Sequence, residues 1–277
     1  MNIIDGKLIS NQIREKLKEE IKSFPTKLKL VDIQIGNNEA SNIYIKGKEK
    51  AASSIGIDFE CIRFPENIEK AEVVNRIKEL NQDTNTTGIL LQLPIPNHLN
   101  TSELINYINP SKDVDGLTDL NQGKLVNGQD SLTSCTPSGV IKLLESYNIE
   151  INGKNIVIVG RSALVGKPLI NLFLNKDATV TVCHSKTANL SSHTKQADIL
   201  VVATGQKDLI TSDMVKEESV IIDVGINRID NKIYGDVDFE NIKDKVSYIT
   251  PVPGGVGPMT ITMLLYNTVK AYKLQNK

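Results

Sequence analysis

Ile156-Val157-Ile158-Val159-Gly160-Arg161-Ser162-Ala163-Leu164-Val165-Gly166 is the stretch on which the fold turns. Its four apolar, mostly β-branched residues read as a buried strand. They run into a glycine-containing turn, and a helical pattern with apolar Leu169, Ile170, Leu172 and Phe173 follows. A strand that ends in such a turn and opens a helix is the setting of a dinucleotide fingerprint, in which helix N-terminal amides hold a pyrophosphate. Here the fingerprint is altered, because Ser162 stands at its second glycine and the last glycine is displaced to Gly166. Further strand-like runs at 179–183, 199–203, 220–224 and 248–250 strengthen the reading. They predict a Rossmann-type parallel sheet.

Upstream, the same alternation holds. Residues 29–35, 58–63 and 88–93 read as strands, and 10–23, 41–54 and 71–81 as helices. A less regular stretch, 109–137, is rich in Asn, Asp, Gly and Ser. Helices are expected at 137–146 and, after the proline- and glycine-rich run 251–258, at 259–274. The fold class is therefore α/β. At 277 residues, two domains are expected rather than one core.

Composition narrows the partners. The chain has 32 basic and 33 acidic residues and a formal net charge of −1, which does not suit a nucleic-acid backbone or an anionic membrane. Trp is absent and aromatic residues are only 4%, so no stacking platform for single strands is expected. No apolar run approaches the length of a membrane helix, and the N-terminus does not read as a signal peptide. Cys61, Cys135 and Cys183 are far apart and form neither a disulfide framework nor a metal-ligand spacing. They read as buried thiols in a reducing cytoplasm.

The strand at 179–183 bears on which dinucleotide binds. An NAD site places a carboxylate about 20 residues beyond the fingerprint, where it accepts from the ribose 2′-OH. Here the strand runs into His184-Ser185-Lys186, and Arg161 lies in the turn. A guanidinium, a hydroxyl and an ammonium suit a 2′-phosphate, so NADP is favoured over NAD. The alternative is that Arg161 and Lys186 are solvated surface charges. His184 would lie toward the adenosine end, too far from a nicotinamide to be a catalytic base. His98 and His193 have no supporting context.

In the first half, three features carry potential chemistry. Gln92 is the lone amide near the end of an apolar strand and needs a partner, in a neighbouring loop or in a site. Tyr44 and Lys48 are four residues apart on one helix face, which Ala51, Ala52 and Ile55 continue. Such a lysine either snorkels or is functional, since burial would disfavour its charged form and make it a proton relay. Asp113 and Asp115, in Lys112-Asp113-Val114-Asp115-Gly116, could bind an amine-bearing substrate or cap a turn. Two carboxylates without a histidine are a poor case for a metal.

Together these segments resemble the methylenetetrahydrofolate dehydrogenase/cyclohydrolase family. The carrying motifs are Tyr44-Ile45-Lys46-Gly47-Lys48, Gln92-Leu93-Pro94-Ile95-Pro96, the Lys112–Gly116 run, Gly160-Arg161-Ser162 with Val165-Gly166, His184-Ser185-Lys186-Thr187 and Gly225-Ile226-Asn227. Pro251-Val252-Pro253-Gly254-Gly255-Val256-Gly257-Pro258-Met259-Thr260 closes the series, in family order. The resemblance implies a catalytic folate-binding domain at 1–136, completed by a last helix at 258–277, and an NADP-binding Rossmann domain at 137–257. It implies two steps in one cleft, oxidation of 5,10-methylenetetrahydrofolate by NADP⁺ and hydrolysis of the methenyl product to 10-formyltetrahydrofolate, with no metal. Lys48 matches the family's catalytic lysine and Gln92 the glutamine that tunes it. Tyr44 matches the tyrosine that packs on the aminobenzoate ring, and Asp115 the aspartate that binds the pterin. Pro253, Gly254 and Gly255 would line the folate pocket. Gly160, Arg161, Ser162, Gly166, Ser185 and Ile226 match the cofactor site. A homodimer is implied as well. The nearest alternative is a monofunctional, possibly NAD-linked, dehydrogenase.

Overall fold

The computed structural model describes residues 2–230 and 232–276. In chain order the elements begin with β1 (Asn2–Ile3), α1 (Gly6–Ile21), β2 (Lys29–Ile35), α2 (Glu39–Ile55), β3 (Asp58–Phe64), α3 (Lys70–Gln82), β4 (Gly88–Leu91), α4 (Thr101–Asn106), α5 (Asp119–Val126) and α6 (Cys135–Ser146). They continue with β5 (Asn155–Val159), α7 (Gly166–Leu174), β6 (Thr179–Cys183), α8 (Leu190–Thr194), β7 (Ile199–Val202), β8 (Val220–Asp223), β9 (Asn227–Ile229), β10 (Lys232–Tyr234), α9 (Phe239–Ile242), β11 (Tyr248–Ile249) and α10 (Val256–Gln275). The chain divides into two compact units. One takes residues up to Asn11 and Thr136–Thr260, the other Gln12–Cys135 and the residues from Ile261 onward.

The second of these units holds a three-stranded parallel sheet of order β3-β2-β4. Side chains alternate between faces along a strand. Val31, Ile33 and Ile35 of β2, with Ile89 and Leu91 of β4, pack against Val73, Val74, Ile77 and Leu80 of α3 and Leu104 and Ile105 of α4. Each large apolar side chain buried this way contributes about 1.5–3 kcal/mol. The other parity of β2 carries Asp32 and Gln34, both buried and both hydrogen-bonded to α2. One face of the sheet is thus a dry core, and the other is a polar layer under α2.

Helix α2 is well bounded. The Asn38 side chain accepts from the Ser41 N–H at its start, and Gly56, at φ +92°, closes its end. Glu39 supplies a carboxylate to the first turn, which suits the helix dipole. The last helix, α10, ties down the loops of the unit. Asn267 Nδ2 donates to the carbonyls of Val114 and Thr133, each at 2.8 Å, and Gln275 Nε2 to those of Thr87 and Ser111, each at 2.9 Å.

The other unit holds a six-stranded sheet of order β1-β11-β8-β7-β5-β6, with every pairing parallel. β5 lies between β6 and β7, so the chain reverses its direction of travel across the sheet at β5. That is the topological switch point where such sheets bind ligands. Val157, Val159, Leu200, Val202, Ile221 and Ile249 build the core on one face.

Several features differ from the sequence expectation. Residues Asn2–Ile3 pair with β11 and so belong to the six-stranded sheet, although they precede the first-half elements. The irregular stretch after Asn109 contains α5, capped by the Thr118 side chain. The strand expected over 88–93 ends at Leu91: Gln92 N–H makes one more bond, to the Ile33 carbonyl at 2.8 Å, and Pro94 has no N–H to continue. All three cysteines are free, Cys135 and Cys183 buried and Cys61 partly so.

Candidate active site

Lys48, Gln92 and Asp32 meet in the polar layer of the three-stranded unit. Lys48 projects from the middle of α2, one turn after Tyr44. Its Nζ donates to Gln92 Oε1 at 2.7 Å and to Asp32 Oδ2 at 2.9 Å. Gln92 Nε2 in turn donates to the Leu93 carbonyl at 2.6 Å, which fixes the amide with its oxygen toward the lysine. The Lys48 side chain is 12% exposed and that of Asp32 0%. Strand parity explains the meeting, since Gln92 shares a face with Leu90, the register partner of Asp32.

The sequence left Lys48 between snorkelling and function. Its side chain does not reach for open solvent; it ends on a carboxylate and an amide. Asp32 escaped the sequence reading, hidden in the apolar run Lys29-Leu30-Val31-Asp32-Ile33. The available signal was the charge itself, because a carboxylate inside a buried strand requires a partner. Burial pushes the Asp32 carboxyl up, while the nearby Lys48 and Arg63 pull it down. Its Oδ1 is buried without a hydrogen-bond partner among the described residues.

The two carboxylates of the Lys112–Gly116 run separate cleanly. Asp113 is buried and accepts from the N–H groups of Leu117 (3.2 Å) and Thr118 (2.8 Å), the Thr118 hydroxyl (2.8 Å) and Asn121 Nδ2 (2.9 Å). It holds the turn that opens α5. Lys112 is also spent on structure, its Nζ donating to the carbonyls of Leu80 and Asp83 at the end of α3. Asp115 keeps intermediate exposure and has no such turn to hold. Its side chain interacts with the Cys135 thiol. Burial pushes the Asp115 carboxyl up; Lys48 is close enough to oppose that. Burial and Asp115 together push the Cys135 thiol well up, so it stays a protonated donor. The Tyr44 ring is exposed.

The second group of predicted residues lies in the other unit, at the carboxyl ends of β5, β6 and β7. A recess of about 480 Å³ is lined there by Gly160, Arg161, Ser162, Ser185 and Thr204, among others. Gly160 has φ +127°, and a methyl group on it would sit 2.3 Å from the Ala203 carbonyl oxygen. One on Gly166 would sit 2.3 Å from the Gly160 carbonyl oxygen. Both positions therefore need glycine for the strand, turn and helix to approach closely. Ser162 at the altered position has a role in this turn. Its Oγ accepts from the N–H groups of Val165 (3.2 Å) and Gly166 (3.4 Å), closing the start of α7. Arg161 and Ser185 are exposed at the rim, and no carboxylate pairs with Arg161 among the described residues. The turn after β6 is held by the Thr187 hydroxyl, which accepts from the His184 N–H at 2.8 Å. The recess thus brings a guanidinium, hydroxyl groups and the start of a helix to the carboxyl ends of the strands.

Ile226 is exposed but does not line this recess. It follows Gly225 in a loop organised by two buried carboxylates. Asp223 accepts from the N–H groups of Gly225 (2.9 Å), Asp236 (3.0 Å) and Val237 (3.0 Å). Asp236 accepts from the Thr204 N–H (2.6 Å), the Gly205 N–H (3.0 Å) and Asn227 Nδ2 (2.9 Å). Pro253, Gly254 and Gly255 form a tight turn in the same unit. The Gly255 N–H donates to the Pro251 carbonyl at 2.8 Å, and the Gly254 carbonyl accepts from the Lys7 N–H at 3.0 Å.

Among the described residues no group of three or more His, Cys, Asp or Glu side chains is placed to hold a metal, and no helix is long and apolar enough to cross a membrane.

Known proteins match this chain along its length. Residues 4–115 match the catalytic domain of the tetrahydrofolate dehydrogenase/cyclohydrolase family, and residues 134–276 its NAD(P)-binding domain. The bifunctional protein FolD of Exiguobacterium sibiricum is 52% identical over 274 residues, covering 98% of this chain and 99% of that one. The crystal structure of the bifunctional methylenetetrahydrofolate dehydrogenase/cyclohydrolase of Campylobacter jejuni superimposes with a TM-score of 0.97 at 48% identity, covering 99% of each chain. The Trypanosoma brucei enzyme, in complex with NADP cofactor and inhibitor, superimposes with a TM-score of 0.94 at 33% identity, covering 99% of this chain and 98% of that one. A paired lysine and glutamine in one unit, a dinucleotide turn in the other and these full-length likenesses together place the chain in the tetrahydrofolate dehydrogenase/cyclohydrolase family.

Proposed function

We propose that this chain oxidises 5,10-methylenetetrahydrofolate with NADP⁺ and hydrolyses the resulting methenyl compound to 10-formyltetrahydrofolate. The observation that carries the bifunctional reading is the Lys48–Gln92 contact at 2.7 Å, because only the hydrolytic step needs a positioned proton carrier.

Oxidation makes small demands on the protein. A folate nitrogen lone pair expels the hydride from the methylene carbon, so no strong acid or base is required. The chemistry that the dinucleotide supplies when bound is hydride acceptance. The chain's part is to hold the reactants in line. Gly160 and Gly166 let strand, turn and helix close tightly enough to present the start of the helix to the pyrophosphate, and Arg161, with Ser162 and Ser185, holds the 2′-phosphate of NADP. The Gly225–Ile226 loop bounds the cofactor, and Pro253, Gly254 and Gly255 bound the folate.

Hydrolysis needs proton movement. Water attacks the amidinium-like methenyl carbon, its oxygen bonds to that carbon, and a proton must leave it. A ring C–N bond then breaks, the freed nitrogen must gain a proton, and the hydroxyl oxygen loses its remaining proton to solvent as the formyl C=O forms. Lys48 Nζ, oriented by Gln92 Oε1, serves both transfers. Tyr44 packs on the aminobenzoate ring. Asp115 accepts hydrogen bonds from the pterin amino group and ring nitrogen, its thiol neighbour leaving it acceptor capacity.

We infer further, from the resemblance, that the working form is a homodimer, which sedimentation of the purified chain checks. The activity itself is tested by supplying 5,10-methylenetetrahydrofolate with NADP⁺ and NAD⁺ in parallel. Nucleotide reduction preferring NADP⁺, followed by 10-formyltetrahydrofolate, is the expected result. Reduction that stops at the methenyl compound, or that prefers NAD⁺, contradicts it.

A further inference from the structure

The lysine of the polar layer has two partners, and the glutamine accounts for only one. Asp32 lies on β2, the central strand of its sheet, and is completely buried. Its Oδ2 is 2.9 Å from Lys48 Nζ. Its Oδ1 has no partner among the described residues. A carboxylate in that position is expensive unless its charge is matched or removed. The structure offers two ways to meet that cost. The ammonium of Lys48 can match the charge, or the carboxyl can take the lysine's proton and become neutral. In the second state the amine of Lys48 is free, and no proton has crossed to solvent.

We infer that Asp32 is the internal proton partner of Lys48, a positioning residue that holds Nζ in place and exchanges one proton with it during hydrolysis. This rests on the hydrolytic reading above. The exchange converts Lys48-NH₃⁺ with Asp32-COO⁻ into Lys48-NH₂ with Asp32-COOH. One N–H bond breaks, one O–H bond forms, and the net charge of the pair stays at zero. The free amine then takes the proton that leaves the attacking water as the new C–O bond forms. Lys48, again an ammonium, gives that proton to the ring nitrogen as the C–N bond breaks. The hydroxyl's remaining proton leaves to solvent as the formyl C=O forms, carrying off the positive charge of the methenyl compound, and Asp32-COOH returns its proton to the Lys48 amine, which restores the starting pair.

The surroundings favour such sharing. On β3, Cys61 is the register partner of Asp32, and Arg63 lies near enough to favour the carboxylate. Arg63 Nε donates to Gln34 Oε1 at 3.0 Å, and its charge acts on Asp32 from there. From the Lys112–Gly116 loop, Asp115 disfavours a second negative charge nearby. Gln92, beyond β4, is uncharged and cannot compete for the proton. Burial raises the carboxyl, which brings the two proton positions closer in energy.

The consequence is a pH signature. A pair that always holds one shared proton keeps the same fraction of free amine over a wide range, between titration of the pair as an acid and as a base. A lone lysine does not; its free amine grows about tenfold per pH unit below its titration point. Cyclohydrolase turnover of methenyltetrahydrofolate is measured without nucleotide from about pH 6 to about pH 9, corrected for the buffer reaction, in wild type, Asp32→Asn and Asp32→Val; the range lies between ordinary carboxyl and lysine titration. Dehydrogenase turnover on the same preparations reports folding. The expected result is a flat wild-type profile and, in both variants, a turnover that climbs with pH and is at least about tenfold below wild type near pH 6, with dehydrogenase turnover changed less than about threefold. Variants with a flat profile at wild-type level overturn the role of Asp32 while leaving the proposed function intact. A parallel loss of both activities at every pH, with the wild-type profile climbing, also overturns it. If neither variant folds, the wild-type profile decides, flat supporting the shared proton and climbing contradicting it. A wild type without hydrolysis removes the proposed function and this inference together.

Discussion

Gln92 presents its carbonyl oxygen to Lys48 at 2.7 Å because its own amide nitrogen is committed to the Leu93 carbonyl at 2.6 Å. The amide cannot flip without breaking both bonds, so the lysine always meets an acceptor. The orientation comes from the sequence: the strand delivers Gln92 on the face of Asp32, and the proline two residues later ends the ladder there. Replacing Gln92 by Met keeps the length but removes the acceptor. A hydrogen bond to a charged group contributes about 1.5–3 kcal/mol. Gln92→Met is therefore expected to lower cyclohydrolase turnover by about 10- to 100-fold, read as the decay of the methenyl absorbance, with NADP⁺ affinity unchanged.

Lys48 and Asp32 are coupled energetically as well as chemically. Removing one partner of a buried ion pair costs about 3–5 kcal/mol, whereas replacing both by apolar residues is often neutral. Lys48→Met alone should destabilise the chain in urea. Adding Asp32→Val should recover most of that loss. Two losses that simply add would show that the pair is not coupled in the folded state.

Arg161 stands at the rim of the dinucleotide recess without a carboxylate partner among the described residues. A guanidinium reserved for a phosphate discriminates by charge. Arg161→Ala is expected to weaken NADP⁺ by about 10- to 100-fold and NAD⁺ by less than about threefold, which calorimetric titration of each nucleotide measures. Equal effects on both nucleotides would assign the arginine to the surface.

Asp223 is a second buried acid, far in sequence from the lysine. Burial pushes its carboxyl up to about 7, against three backbone N–H donors that favour the ionised form. The unfolded chain releases that proton near an ordinary aspartate value of about 4. Between these values the folded state binds the extra proton, so its contribution to stability is full below about pH 4 and is lost as the pH rises to about 7. Asp223→Asn removes this titration and leaves one N–H without an acceptor, at about 1–3 kcal/mol. Denaturation at pH values on either side of this window should show the wild-type advantage over the variant shrinking as pH rises. An advantage that grows would contradict the raised carboxyl.

Much of the fold was legible because burial wrote it into local patterns. The strands β5, β7 and β8 are short, largely apolar runs and β6 alternates threonine with valine, and α2, α3 and α7 carry helical periodicity. β1 was not legible: two residues show no period, and only pairing with β11 makes them a strand. The hairpin of β9 and β10 is short and mostly exposed, so it lacks alternation. Helix α5 hides in a polar stretch and depends on its Thr118 cap. Of the candidate site, Lys48 and Gln92 stood out as polar residues in apolar settings. Asp32 carried the same signal and was masked by the strand around it. The different fates of Asp113 and Asp115 were closed to sequence reasoning, since only the folded turn shows which carboxylate has its donors.

The most direct measurement compares wild type and Lys48→Met on methenyltetrahydrofolate without nucleotide, with NADP⁺ binding measured on the same samples. The account requires the variant to fall to the buffer rate while binding NADP⁺ as wild type does. Hydrolysis at the wild-type rate by a chain with no amine at position 48 would contradict it.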